Sequence, residues 1–210
     1  MCSRYHIRDK MPEMLKKIFP EEIQEDQEAA VCPPLLMTSC DILPSMKAPV
    51  LIRRQGRLCM LEAVWGFPGI EGKGLIINAR SETALEKRMF AESVEKRRCL
   101  VPASGFYEWS ETKDKYYFTP GKRNAGDTAS ALLMAGCYRR WEGETRFVIL
   151  TTSANSSVGR IHPRMPLILE GEEAEKWLAE GEEASAISQL LKKAPAELER
   201  EQTGQLSLFG

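Results

Sequence analysis

The feature that most constrains this chain is a succession of short apolar segments broken by glycine and proline at hairpin distance. Val50-Leu51-Ile52, Leu58 to Trp65, Leu75-Ile76-Ile77, Lys115 to Thr119, Ala131 to Trp141 and Arg146 to Thr152 each have strand length. Gly66-Phe67-Pro68-Gly69 forces a turn after the second, and Glu142-Gly143-Glu144 joins the last two. Neighbours so closely spaced pair antiparallel, which predicts an α+β fold with a β-rich core and a few helices. Three stretches carry a helical pattern. Pro12 to Phe19 is a short amphipathic helix with proline in its first turn, stopped by Pro20. Thr83-Ala84-Leu85-Glu86 fits a capping box and predicts a helix to about Val94. Glu170 to about Ala194 reads as one or two acidic helices built around Trp177, Leu178, Ile187, Leu190 and Leu191.

With 210 residues, 43% of them hydrophobic and 28% charged, the chain can bury a proper core as one domain. It carries neither an apolar run long enough for a bilayer nor the basic-then-apolar layout of a signal peptide, so the expectation is a soluble, cytoplasmic protein without membrane contact. Six cysteines without a CxxC pair and only two histidines argue against a zinc site or a disulfide framework, and no cofactor is expected. The net charge of −1 divides into a mildly basic body up to residue 169 and an acidic remainder. That asymmetry does not by itself identify a nucleic-acid binder.

Candidate chemistry begins at Met1-Cys2-Ser3-Arg4-Tyr5. Removal of Met1 would leave Cys2 with a free α-amine and a thiol two carbons apart. The amine condenses with an aldehyde to an imine, and the thiol closes on the same carbon to a thiazolidine; alternatively the amine serves as base for a nucleophilic thiol. Trp65 and Phe67, at the mouth of a turn, either stack on bases or close a core. Asn78 and Arg80 follow a short strand, where a rigid frame commonly presents functional side chains. Glu108 lies between Tyr107 and Trp109, and strand alternation puts it on the face of Phe106. Desolvation there would raise its pKa toward that of a general acid or base. His162, extended by Pro163 and followed by Arg164, is the other proton shuttle in view. His6 has no visible companion in the sequence.

Together, Met-Cys-x-Arg, Trp65-Gly66, Asn78-Ala79-Arg80-Ser81-Glu82-Thr83, Arg98 to Trp109 and His162-x-Arg164-Met165-Pro166 resemble the SRAP (SOS response-associated peptidase) family over about residues 2–190. The resemblance implies a barrel-like β core and a protein that shields abasic sites in single-stranded DNA through a thiazolidine on Cys2. By the same resemblance Glu108 handles protons at the amine and imine, His162 assists opening of the sugar, and Asn78 orients the N-terminus. Arg4, Arg80 and Arg164 hold phosphates, with Trp65 and Phe67 near the base stack. Three positions depart from the family's pattern: Ser3 stands where glycine is common, Pro163 where aspartate is common, and Cys32 to Pro49 matches loosely, best at Leu43-Pro44-Ser45.

The domain is expected to span residues 2–194, with 195–210 a flexible tail. Its end, Gln205-Leu206-Ser207-Leu208-Phe209, resembles the pentapeptide by which bacterial proteins dock on the sliding clamp: Gln205 is a polar anchor, and Leu206, Leu208 and Phe209 are apolar contacts. Two other functions use the same residues differently. One is an N-terminal-cysteine amidohydrolase or autoprocessing peptidase, the other a noncovalent single-stranded DNA-binding module.

Overall fold

The computed structural model describes residues 2–21, 23–25, 39–69, 72–121 and 131–205. Along them run β1 (Arg4–Ile7), α1 (Met11–Ile18), β2 (Gln24–Glu25), β3 (Cys40–Ile42), β4 (Lys47–Arg54), β5 (Arg57–Trp65), β6 (Phe67–Pro68), β7 (Leu75–Ile76), β8 (Asn78–Arg80) and α2 (Ala91–Lys96). There follow β9 (Arg98–Ala103), β10 (Gly105–Trp109), β11 (Asp114–Pro120), β12 (Leu132–Trp141), β13 (Glu144–Ser153), β14 (Arg164–Pro166), α3 (Glu172–Leu178), α4 (Ala184–Leu191) and β15 (Leu198–Gln205).

Two tight turns set the registers of the core. Gln55–Gly56 and Glu142–Gly143 both have positive φ (52° and 74°, 48° and 86°) and join β4 to β5 and β12 to β13. Turns of this hand match the twist of the strands they connect. β5 then pairs with β4, β4 with β9, β9 with β12 and β12 with β13, all antiparallel. A parallel contact of β13 with β5, Arg146↔Val64 and Phe147↔Trp65, closes the circuit into a barrel. Closure leaves no free edge along these five strands, and β9 is buried along its whole length. The fold is thus α+β, with a barrel-like, mainly antiparallel core and peripheral helices.

Ser104 alone separates β9 from β10, and there the chain passes from the barrel into a second sheet ordered β15-β11-β10-β1-β3. Arg98, a charged residue only 9% exposed, fastens the helices to the barrel. Its guanidinium donates to Trp177 O (2.6 Å) and Val94 O (3.2 Å), and also to the carbonyls of Glu95 and Ala179. It thereby satisfies carbonyls at the C-terminal ends of α2 and α3, where a cation is electrostatically favoured.

Two sequence expectations are corrected. The capping box at Thr83 starts no long helix. Thr83 O accepts from Glu86 N and Lys87 N, a single turn after the 3₁₀ segment Ser81–Thr83, and α2 begins only at Ala91. Ala84 is buried while Leu85, Met89 and Phe90 pack individually on the core, and that tertiary packing outweighs local propensity. The flexible tail is also shorter than expected. Leu198–Gln205 is a full strand paired with β11 from Pro120↔Leu198 to Asp114↔Gln205, so the domain continues past 194. Leu206, Leu208 and Phe209 of the clamp-like motif lie outside the described residues, as does Cys32.

Candidate active site

The N-terminal segment enters along the second sheet. β1 pairs with β10 in the register Arg4↔Tyr107, Tyr5↔Phe106. Continued by one residue, this register sets Ser3 beside Glu108. Phe106 and Glu108 point inward (0% and 2% exposed) while Tyr107 and Trp109 are partly exposed, as alternation predicts. The strand can start at Gly105 only without a side chain, because a Cβ there would lie 2.5 Å from Phe118 O and 2.6 Å from the Tyr117 hydroxyl.

Cys2 is fully buried. Its carbonyl accepts a 2.8 Å hydrogen bond from Asn78 Nδ2, and its Sγ lies 3.7 Å from Arg4 O. Asn78 stands on β8, held parallel to β13 at Ile149↔Asn78. Its Oδ1 is buried without a hydrogen-bond partner among the described residues. Burial, and after it the charge of Glu108, pushes the Cys2 thiol far above its ordinary range, so the sulfur is kept protonated.

Burial likewise raises the Glu108 carboxyl, opposed by the positive charge beside it, that of His162 included. His162 Nδ1 is 3.9 Å from Glu108 Oε1. The same nitrogen lies 3.0 Å from both the amide nitrogen and the carbonyl oxygen of Arg164. In the neutral ring Nδ1 accepts from the amide and Nε2 carries the proton; in the charged ring Nδ1 donates to the carbonyl. The turn therefore has a partner for either protonation state. Pro163 costs it nothing, since residue 163 contributes its carbonyl, which accepts from Ala154 N at 3.0 Å.

The four residues Cys2, Asn78, Glu108 and His162 thus come together from β8, β10, the N-terminus and the loop before β14. The expected DNA contacts divide. Arg80 is exposed, and Arg4 is partly exposed, 5.6 Å above the Trp109 ring and 3.8 Å from Asp41. Arg164 is instead committed within the chain: it donates to both oxygens of Glu82 (2.6 and 2.8 Å) and to Thr151 O. Trp65 and Phe67 are fully buried and offer no face to a base. Trp65 packs on Tyr5 and Phe147 and donates from Nε1 to Ile77 O, while Phe67 lies beside Phe90 and beneath Arg139. Both rings belong to the core because the turn after β5 runs inward. Gly66 N donates to Phe147 O on the neighbouring strand at 2.7 Å.

Among the described residues no group of three His, Cys, Asp or Glu side chains is arranged to hold a metal. One cluster escaped the sequence reading. His6 hydrogen-bonds Asp41 and Ser39, brought opposite by the β1–β3 register His6↔Asp41. Nothing in a separation of more than thirty residues announces that contact.

The family model described as SOS response associated peptidase (SRAP) matches residues 1–205. The chain belongs to the SRAP family. It is 29% identical over 193 residues to the abasic site processing protein YedK of Escherichia coli (strain K12), covering 90% of this chain and 85% of that one. To the abasic site processing protein YoqW of Bacillus subtilis (strain 168) it is 27% identical over 188 residues, with coverage of 85% and 80%. To the abasic site processing protein HMCES of Xenopus tropicalis it is 37% identical over 127 residues, half of this chain and 38% of the relative. Two crystal structures share the SRAP fold seen here. A Bacteroides thetaiotaomicron protein matches with a TM-score of 0.74 at 24% identity over 96% of this chain and 91% of its own. A phage-related protein of Bordetella bronchiseptica matches with 0.76 at 19% identity, over 97% and 95%. The SRAP match ends at Gln205, the last residue of β15, which agrees with a domain that includes this strand.

Proposed function

We propose that this protein captures abasic sites in single-stranded DNA as a covalent thiazolidine on Cys2, once Met1 has been removed. The observation that carries the reading is the buried Cys2, its carbonyl held by Asn78, near a Glu108 carboxyl that burial raises, in a chain related over most of its length to abasic site processing proteins. The ring-opened deoxyribose presents an aldehyde. The Cys2 amine adds to its carbon, water is expelled from the carbinolamine to leave an imine, and the thiol adds to the same carbon as its proton passes to the ring nitrogen. Glu108 supplies and recovers the protons of the dehydration, and His162 moves the proton that opens the sugar ring. Asn78 aims the N-terminus. Arg4 and Arg80 take the flanking phosphates.

A thiol kept protonated by burial is poorly suited to attack as a thiolate, which favours amine-first capture over the amidohydrolase and peptidase alternatives. A noncovalent single-strand binder would need no Asn78 bond to Cys2. The segment Gln205-Leu206-Ser207-Leu208-Phe209 is proposed to dock on the sliding clamp, β15 holding the chain up to Gln205 at the edge of the domain. That would bring the protein to replication forks in the cytoplasm, where single-stranded abasic DNA arises.

The deciding experiment mixes mature protein with single-stranded DNA bearing one abasic site and runs a denaturing gel after heating. A heat-resistant shifted band is expected, lost in Cys2→Ala; no band, or a band that survives Cys2→Ala, removes the thiazolidine. Intact mass of the purified protein reports the loss of Met1. Loss of clamp binding on changing Leu208 and Phe209 to alanine is the expected result for the C-terminal segment, and retained binding overturns it.

A further inference from the structure

On the face of β1 opposite the buried Tyr5 and Ile7, three side chains form a hydrogen-bonded line. Asp41 Oδ1 lies 2.7 Å from His6 Nδ1, and Ser39 Oγ lies 3.0 Å from His6 Nε2. An ionised carboxylate can only accept, so Asp41 fixes the ring proton on Nδ1. In the neutral ring Nε2 is then left with its lone pair, and the Ser39 hydroxyl donates to it. The carboxylate is thus on the nitrogen that orients the ring and the hydroxyl on the nitrogen that acts as base, which is the arrangement nucleophilic catalysis by serine requires.

The parts differ in freedom in a way that suits this use. The ring is held: His6 is only 20% exposed, edge-on to Tyr117, and its backbone is paired on both sides with Gly105 and Asp41. Asp41 is also held, by Arg4 at 3.8 Å and by the Tyr107 hydroxyl. Ser39 is exposed and open to a substrate. Two cations lie near the cluster, Arg4 on the same face of β1 as His6 and paired with Asp41, and Lys115 4.0 Å above the Tyr107 ring. An ester with a negatively charged acyl portion fits that field.

We propose that Ser39, His6 and Asp41 form a second nucleophilic site that hydrolyses small anionic esters through an acyl-Ser39 intermediate. The Ser39 O–H bond breaks as Oγ bonds to the carbonyl carbon, and the proton passes to His6 Nε2. Collapse of the tetrahedral adduct breaks the ester C–O bond, and the departing alkoxide takes that proton and leaves as the alcohol. Water, giving its proton to the same nitrogen, then adds to the acyl carbon and releases the carboxylic acid and free Ser39. Neither nucleophile nor base is shared with Cys2, so failure here leaves the abasic-site reading standing.

The test is labelling of the full chain with an alkyl fluorophosphonate, in which the P–O bond to serine forms as P–F breaks and fluoride leaves, with the adduct mapped by peptide mass. A single adduct on Ser39 is expected, slowed by about 100-fold or more in His6→Gln and in Asp41→Asn, each shown to be folded by its thermal transition. Hydrolysis of 4-nitrophenyl hemisuccinate should fall to the uncatalysed level in Ser39→Ala, a surface change that removes nothing from the core. No adduct on Ser39, an adduct formed equally fast in His6→Gln, or hydrolysis unchanged in Ser39→Ala would each overturn the proposal.

Discussion

Asn78→Ala tests how the N-terminus is aimed. The change deletes the 2.8 Å hydrogen bond from Nδ2 to the Cys2 carbonyl. Leaving a buried acceptor unpaired costs roughly 1–3 kcal/mol, against about 1 kcal/mol net for an ordinary exchange with water. Here both residues are enclosed, Asn78 at 9% and Cys2 at 0% exposure, so water replaces the donor poorly and the upper part of that range, about 2–3 kcal/mol, applies. If this energy serves to place the amine and thiol, the crosslinking step slows by roughly 30- to 150-fold. The assay is a single-turnover time course with saturating single-stranded abasic DNA, beside equilibrium binding of an intact strand. Binding of the intact strand should change by less than about twofold, since the lost bond touches no phosphate. Asn78→Asp should not rescue the rate, because it keeps an acceptor and lacks the donor. A wild-type rate in Asn78→Ala would refute the argument that this bond positions Cys2.

Three further outcomes follow from the same structure. Because burial raises the folded-state pKa of Glu108, the native protein holds this proton where the unfolded chain has released it; stability conferred by the protonated form is present below the ordinary value of 4.5 and declines as pH rises through the folded value. Glu108→Gln should therefore unfold at a higher temperature than wild type at pH 8, with a difference that shrinks toward pH 4, while its crosslinking is slowed; equal melting curves at pH 8 would argue against a desolvated carboxyl. Glu82 has the opposite sign, since its hydrogen bonds with Arg164 lower its pKa, giving stability that is present above 4.5 and lost as pH falls through the folded value. The pair is partly exposed, so Glu82→Gln should cost no more than about 1 kcal/mol in urea unfolding at pH 7, with nothing lost at low pH. Gly66→Ala should cost about 2–5 kcal/mol, because φ is +116° and a Cβ would lie 2.5–2.8 Å from the Leu75 side chain. Adding Leu75→Ala should not restore wild-type stability, and full recovery would show that backbone conformation contributes nothing.

The sequence by itself determined the elements whose signals are local. Strand succession was legible because glycine and proline interrupt apolar runs at hairpin spacing, and the inward aim of Glu108 because it shares a strand face with Phe106. The helices near Trp177 and Leu190 were legible from their apolar positions, since amphipathicity is a property of consecutive residues. Cys2, Asn78, Glu108 and His162 could be named from motifs, without their distances. The tertiary structure alone decided what depends on pairing across the chain. Trp65 and Phe67 look the same in sequence whether they face bases or a core, and only the folded chain buries them, Trp65 against Tyr5 and Phe147, Phe67 against Phe90 and Arg139. Arg164 looks like a phosphate ligand until Glu82, far off in sequence, is found to neutralise it. Leu198–Gln205 is polar enough to read as a tail, and backbone pairing with β11, which carries no side-chain signature, makes it a strand. His6 showed no companion because its partners arrive through the antiparallel register of β1 with β3. Periodicity is written along the chain, but register is a contest among all strands for partners, and it was settled only when the barrel and its neighbouring sheet closed.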